Sequence, residues 1–595
     1  MTTSLKHRGP DATGTFIAEN IALGHLRLSI IDLSETANQP LFDFTNRYSI
    51  IFNGEIYNYR EVKKSLPDYP FSTNSDTEVI LAAFCRFGVE CLKLFNGMFA
   101  FAIWDNVKSE LFVARDRLGV KPLYYALDGE RFIFASEIRA ILNTGLVPRN
   151  LDKSSLYNYL MYQSVYAPQT IVENIKQLPA GTFGIFSGGK FEINDYWQIE
   201  KNKCDVFDED ETTVKKNVKE LLLKSVERRM ISDVRLGAFL SGGIDSSAIV
   251  ALMSEVSDKP IDTFSVNFTE KEFDESHYAN LIARKYNTNH TGVRLSARDF
   301  LDELPAALLA TDSPSGDGIN TYTVSKATKK SGITVALSGL GGDELFAGYP
   351  NFLKWMQTKN GLLPKIPSVL RKSLGYAFSN SKNSKHHRMA DILSADNFTL
   401  ANIYPMFRQV MSQQTVNNFC QNGHHQNSIR KMLKDKESAI NEFPLLSQFT
   451  IAELLGYTQN VLLKDTDQYS MASALEVREP FFDYELVEYV LQIPDQIKYP
   501  KYPKSLLVEA ISPMLPDEIV HRKKMGFDLP WEKWMRNELK DFCQSRIENL
   551  AERGIINSDK LLEKWADFQN GKNGVIWSQL WHLVVLTEWL ENNKF

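Results

Sequence analysis

Two short runs of glycine, serine and aspartate carry the most specific chemistry in the chain. The first, LSGGIDSS (residues 240–247), stands where an apolar strand pattern hands over to a helical one. Gly242 and Gly243 let the backbone approach an anion with no Cβ in the way. The first N–H groups of the helix add partial positive charge. Ser241, Ser246 and Ser247 offer hydroxyl donors, and Leu240 closes the strand. Asp245 is out of place in an anion cradle unless a divalent cation separates its carboxylate from phosphate, the hard-ligand role of Asp toward Mg²⁺. The second run, LSGLGGDELFAGY (residues 337–349), repeats the logic, with Ser338 and Gly339 at the turn and Asp343 as a second metal ligand. Two such loops at two strand ends would hold one metal triphosphate between them, so ATP and Mg²⁺ are the expected cofactors. Alone, the first octamer also fits a glycine turn with a serine N-cap.

The elements that must position these loops follow from periodicity. LGAFL, SSAIVALMSEV, IDTFSVNF, ESHYANLIARKYN and HTGVRL alternate strand and helix, which predicts βαβαβ and a doubly wound parallel sheet. GITVALSGLGG reads as a further buried strand. Beyond Asn351 the pattern is mostly helical, with SNSKNSKHHR (residues 379–388) expected as an exposed loop. Trp577, Leu580, Trp581, Val584 and Val585 keep the 3-and-4 spacing of a core helix. Residues 1–200 differ: short β-type runs such as RYSIIFNGEIYNY and GMFAFAIWD are joined by helical patterns at Thr77–Phe87 and Lys153–Tyr162. The class is therefore α/β and α+β in one chain. We place the first domain at 1–200, a polar linker at 201–211 and the second domain at 212–595.

Composition removes several classes. The 67 Lys and Arg against 73 Asp and Glu leave a net charge of −6, and no basic half tracks a phosphate backbone, so no nucleic acid is expected. No apolar run approaches the ~18 residues of a membrane span. The start, MTTSLKHRGPD, has no apolar signal core. Five cysteines without paired spacing suit a reducing compartment and argue against disulfides or structural zinc, which predicts a cytoplasmic protein.

With these residues in view, SGGIDSS resembles the pyrophosphate loop of the ATP pyrophosphatase superfamily. Together with SGLGGDELFAGY, LLKDTDQYSMASALEVREPFFD (462–483) and LPDEIVHRKKMGFDLPWEKW (515–534), it resembles the synthetase half of glutamine-dependent asparagine synthetases. The resemblance implies adenylation of the aspartate side chain by ATP, then displacement of AMP by ammonia. It also implies that Leu240 and Val266 contact the nucleotide through their backbones and that Ser338 and Gly339 hold phosphate. Asp245 and Asp343 would bind Mg²⁺, and Lys504 would stabilise the charged intermediate; Lys464 and Asp467 match an inner helical motif. Read alone, Glu476 and Arg478 are equally an ion pair orienting a helix, and Lys464 a solvated helix residue.

HRGPD, LGHLRLSIID, NGEIYN, NSDTEVI and ARDRLGVKPLYY follow the order of that family's αββα glutaminase domain. The resemblance implies that Arg27, Glu55 and Asp76 hold the amino-acid end of glutamine and that Asn53 and Gly54 form an oxyanion hole. Without it, Asn53-Gly54 reads as a type I′ hairpin turn. The family's glutaminase begins Met-Cys-Gly, whereas this chain begins Met-Thr-Thr. Thr2 stands too close to His7 to replace the cysteine, so MTTSLKHRGPD reads as the end of a helix whose preceding strand is missing. The expectation is that residues 1–595 use ammonia rather than glutamine. Leu340 stands where asparagine synthetases carry Glu or Asp, which leaves the acceptor open. The alternatives are amidation of another carboxylate, such as a sugar acid, or a non-catalytic ATP-binding homologue. Expected partners are small molecules, namely aspartate and glutamine or ammonia, with no membrane partner and a homodimer as the possible assembly.

Overall fold

The computed structural model describes residues 1–595 except 204–206, 269–274, 380, 382–383, 421–425 and 523–528. Parts of the expected linker and of the last motif therefore lie outside the described residues.

The N-terminal half is built on alternating strands. β1 (Ala12–Ala18) and β2 (Ile21–Arg27) form an antiparallel pair. β3 (Leu41–Phe42), β4 (Tyr48–Ile56), β5 (Gly97–Asp105) and β6 (Glu110–Arg115) belong to a six-stranded sheet. β7 (Tyr124–Asp128), β8 (Arg131–Ala135) and β9 (Ile175–Gln177) make a three-stranded sheet, and β10 (Thr182–Ser187) and β11 (Lys190–Asp195) complete the larger one in the order β11-β10-β6-β5-β4-β3. Period-two alternation sends Phe52, Phe99, Phe101 and Phe112 to one face, under helix α1 (Asp76–Phe87). Ala100, Ala102, Leu111 and Val113 face the other way, toward Leu23 of β2 and Phe132 and Phe134 of β8. Helix α2 (Lys153–Tyr162) starts and ends where its periodicity predicts, capped by the Asp152 carboxylate accepting from Ser155 N–H.

One local expectation fails here. Asn53 and Gly54 are not a hairpin turn; they lie inside β4, opposite Ala100 and Phe99 of β5. Gly54 has φ +140°, and a Cβ there would sit 2.0 Å from the Met98 carbonyl oxygen. Only glycine fits that close strand approach.

In the C-terminal half, β12 (Leu236–Phe239), α3 (Ile244–Val256), β13 (Asp262–Phe268), α4 (Ser276–Lys285) and β14 (Asn289–Leu295) realise the βαβαβ pattern. β15 (Val335–Leu337) pairs on the other side of β12, and β16 (Glu476–Arg478) follows it. The order β14-β13-β12-β15-β16 is parallel throughout. Chain direction across the sheet reverses between β12 and β15, which opens a crevice at their carboxyl ends. Helices fill the remainder, among them α5 (Ser368–Ser379), α6 (Ser384–Ser394), α7 (Leu463–Met471) and α8 (Ser578–Asn592). Leu580, Trp581, Val584 and Val585 of α8 are buried as their spacing predicts. The run 379–388 is not simply a loop, because α6 begins at Ser384; its polar residues leave no apolar period to read.

Candidate functional site

Both glycine loops leave the sheet at the crevice between β12 and β15. Gly243 caps α3, and Gly242 has φ +74° with a Cβ position only 2.5 Å from Tyr278 Cβ. Ser241 and Ser246 hydroxyls lie 3.0 Å apart. Leu240 N–H donates to the Phe264 carbonyl, so its own carbonyl is what remains for a ligand, and Val266 lies on β13 beyond the last β12 pairing. On the second loop Ser338 N–H donates to Arg478 O, and a Cβ on Gly339 would collide with Ser246 N at 2.7 Å. The two loops therefore touch.

Lys504 joins them chemically. Its Nζ lies 2.5 Å from Asp245 Oδ2 and 2.6 Å from Asp343 Oδ1. Burial works against the ammonium, but the two carboxylates outweigh it and hold its pKa above the ordinary lysine value. Its backbone is left-handed (φ +64°), a costly conformation for a residue with a Cβ. Gly348 makes room: a Cβ there would lie 2.0 Å from Asp343 Oδ1 and 2.3 Å from Lys504 Cε. Two carboxylates converging beside a phosphate-type loop are the donor set Mg²⁺ takes alongside triphosphate oxygens. Among the described residues no group of three or more His, Cys, Asp or Glu could hold a metal ion by itself.

Sequence reasoning missed two neighbours. Arg522 Nη1 donates to Gly242 O at 2.9 Å and its guanidinium covers the Tyr278 ring, although 280 residues separate the partners. Only its place in the last motif hinted at it. Glu344, next to Asp343, is buried and accepts from Tyr349 O–H at 2.6 Å; burial and Asp343 push its pKa up to about 7.

Lys464 lies away from the loops. It is buried, with Nζ 2.6 Å from Ser164 Oγ, and burial lowers its pKa to about 8. It is not a solvated helix residue. Asp467, on the same helix α7, receives Arg8 at 2.8 Å and Lys121 at 3.3 Å from the N-terminal half. Glu476 and Arg478 do form an ion pair (2.8 Å), but on strand β16 rather than on a helix.

A cavity of about 1080 Å³ in the N-terminal half is lined by Arg27, Asn53, Gly54, Glu55 and Asp76 together. Arg27 is clamped by the Ser34 and Asp32 carbonyls, and Asp76 accepts from Ile56 N–H at 2.9 Å. The Asn53 amide nitrogen is buried with no hydrogen-bond partner, a donor left for a ligand. Burial raises the Asp76 pKa to about 6, and burial with the nearby Asp76 raises that of Glu55. Among the described residues no cysteine lines the cavity, whereas Met471 and Glu476 from the other half do.

The family models identify the two halves of the chain. Residues 1–197 match the glutamine amidotransferase domain and residues 217–591 match asparagine synthase. The chain belongs to the glutamine-hydrolysing asparagine synthetase family. It is an ATP-dependent amide ligase of that type, with a glutaminase half and a synthetase half. It is 33% identical to asparagine synthetase [glutamine-hydrolyzing] 1 of Bacillus subtilis, over 98% of this chain and 93% of that one. It is 39% identical to a putative asparagine synthetase [glutamine-hydrolyzing] 2 of Methanocaldococcus jannaschii, over 62% of this chain and 75% of that one. A fungal protein named amidase chry2, from Gibberella zeae, shares 28% identity over 96% of this chain and 89% of its own.

Proposed function

We propose that this synthetase adenylates the side-chain carboxylate of aspartate and amidates it with ammonia. The observation that carries the reading is the bridge of Lys504 between Asp245 and Asp343, one from each phosphate-type loop. A carboxylate oxygen of the acceptor would attack the α-phosphorus of ATP and expel pyrophosphate; ammonia would then attack the acyl carbon and expel AMP. The residues at hand fit the charges involved. Ser241, Gly242, Gly243, Ser246, Ser338 and Gly339 would seat the leaving pyrophosphate, with Arg522 and Lys504 offsetting its negative charge. Asp245 and Asp343 would hold Mg²⁺, which supplies further neutralisation when bound. Arg27, Glu55 and Asp76 would hold the amino-acid end of glutamine, with Asn53 and Gly54 facing its amide. Aspartate as acceptor rests on the relatives' names.

The test is pyrophosphate and asparagine formation with Mg·ATP and aspartate, supplied with ammonium or glutamine in parallel. Asparagine from ammonium or from glutamine supports the reading. No pyrophosphate from either would discard aspartate. The partly buried Leu340 favours a second reading, amidation of a carboxylate other than aspartate, and a panel of acceptor acids would then identify it.

A further inference from the structure

Helix α5 is built inside out. It buries Arg371 (3% exposed) and Gly375, and turns Val369, Leu370, Leu374 and Tyr376 to solvent at 73, 58, 53 and 70% exposure. A helix of a water-soluble domain normally does the reverse. The orientation is fixed, because the Arg371 guanidinium donates to the carbonyls of Ile366, Leu393 and Ala395. A Cβ on Gly375 would meet Ser394 Oγ at 2.5 Å, so α5 and α6 are in close contact there. At 100° per residue, Tyr376, Val369, Ala377, Leu370 and Leu374 fall on one outer face about 160° wide, interrupted only by the small Ser373. Leu362, 76% exposed, stands just before it.

Charge singles out the same place. Residues 345–390 contain eight Lys and Arg and no Asp or Glu, in a chain whose acids outnumber its bases. Lys354, Lys359 and Lys365 are exposed in the segment leading into α5, and Lys372 is exposed on α5 itself, where it also reaches Asp396.

We propose that the α5 face is a docking surface for an anionic lipid bilayer, on which α5 lies with its apolar stripe among the acyl chains and its lysines at the headgroups. Apolar residues on one face with lysines around them are the pattern of an interfacial helix, and tyrosine suits the headgroup level. A second copy of this chain is disfavoured, because two-fold pairing of the face would bring together two segments that carry lysines and no acids. An acidic protein would satisfy the lysines but leaves the apolar stripe needing its own matched pocket. Such docking differs from spanning: no helix among the described residues is long and apolar enough to cross a membrane.

Co-sedimentation with vesicles tests it, using phosphatidylcholine alone or with roughly one-third phosphatidylglycerol. The full chain is expected to pellet with the anionic vesicles only, and less as salt rises. Two lysines near an anionic surface contribute about 30-fold together, so Lys365→Gln with Lys372→Gln should weaken the partition by about that factor. Leu370→Asp with Leu374→Asp should abolish it while pyrophosphate release stays at the parent level. If either pair loses pyrophosphate release, the other decides. The proposal is overturned by equal pelleting with and without anionic lipid, or by pelleting that both pairs leave intact. It is also overturned by a dimer that Leu370→Asp dissociates, or by capture on a poly-glutamate column without vesicle binding.

Discussion

Arg478 of the synthetase half lies with Nη2 3.1 Å from Glu55 Oε1 of the glutaminase half, while its backbone carbonyl accepts from Ser338 N–H in the phosphate loop. One residue thus touches both pockets. Its Nη1 also donates to the carbonyls of Arg229 and Ile231, so the guanidinium is fixed from three sides and fully buried.

Removing that cation leaves Glu55 and Glu476 buried without their counter-charge. Arg478→Met should therefore destabilise the chain by about 3 to 5 kcal/mol. Adding Glu55→Gln should recover part of the loss, because the two residues interact directly. Urea unfolding of the parent, both single variants and the double variant gives the coupling. A neutral Arg478→Met, or strictly additive changes, would remove the pair from any structural role.

The proposed glutamine pocket should respond to pH through Asp76. Burial raises its pKa from 3.8 to about 6, so in the empty pocket the carboxyl is protonated below that value and ionised above it. The α-ammonium of glutamine is attracted to the ionised form, so binding lowers the Asp76 pKa and releases a proton. Affinity should rise about tenfold between roughly pH 5 and 7, then level off. Calorimetric titration across this range checks it, and Asp76→Asn should flatten the profile. A pH-independent affinity in the parent chain would sink the assignment.

Much of this was legible in the chain because the signals are local. Strands β12 and β15 are apolar runs ending in glycine turns, so both the sheet and the place of Ser241, Asp245, Ser338 and Asp343 follow from short-range pattern. β16 was not readable: it has three residues, two of them charged, and exists because Glu476 and Arg478 neutralise each other within the sheet. Asn53-Gly54 misled for a related reason. The dipeptide favours a turn in isolation, but nine continuous pairings with β5 override it. Arg522 was hidden because its partner Gly242 is remote in sequence, and no periodicity encodes such a contact.

Gly348 tests how tightly the synthetase centre is built. A Cβ there would need to displace the Asp343 carboxylate or the Lys504 side chain, both within 2.3 Å of its position. Gly348→Ala should cut pyrophosphate release at least about tenfold, since misplacing reacting groups by ~1 Å costs up to a hundredfold. Glutamine binding in the other half should stay unchanged, which separates a local displacement from unfolding. Full activity in Gly348→Ala would mean that Asp343 and Lys504 are not held in the arrangement described.

Lys504 itself offers the sharpest separation between binding and chemistry. With ATP absent its ammonium neutralises Asp245 and Asp343, and its raised pKa keeps it charged through neutral pH. With Mg·ATP in the crevice as proposed, the same cation would be free to turn toward charge developing on the pyrophosphate or on the acyl intermediate. Lys504→Met keeps much of the side chain's volume but removes the charge. It should lower kcat about 10²- to 10³-fold, the usual loss when one preorganised donor to a developing anion is removed. ATP affinity should change much less, because the serines, glycines and helix N-terminus of the loops remain. Lys504→Arg should restore only part of the rate, since the planar guanidinium does not fit a point between two carboxylates about 2.5 Å away on either side. Pyrophosphate release at saturating ATP, read beside equilibrium nucleotide binding, distinguishes the cases. A loss confined to ATP binding would make Lys504 a nucleotide anchor and leave the charge of the intermediate to Arg522.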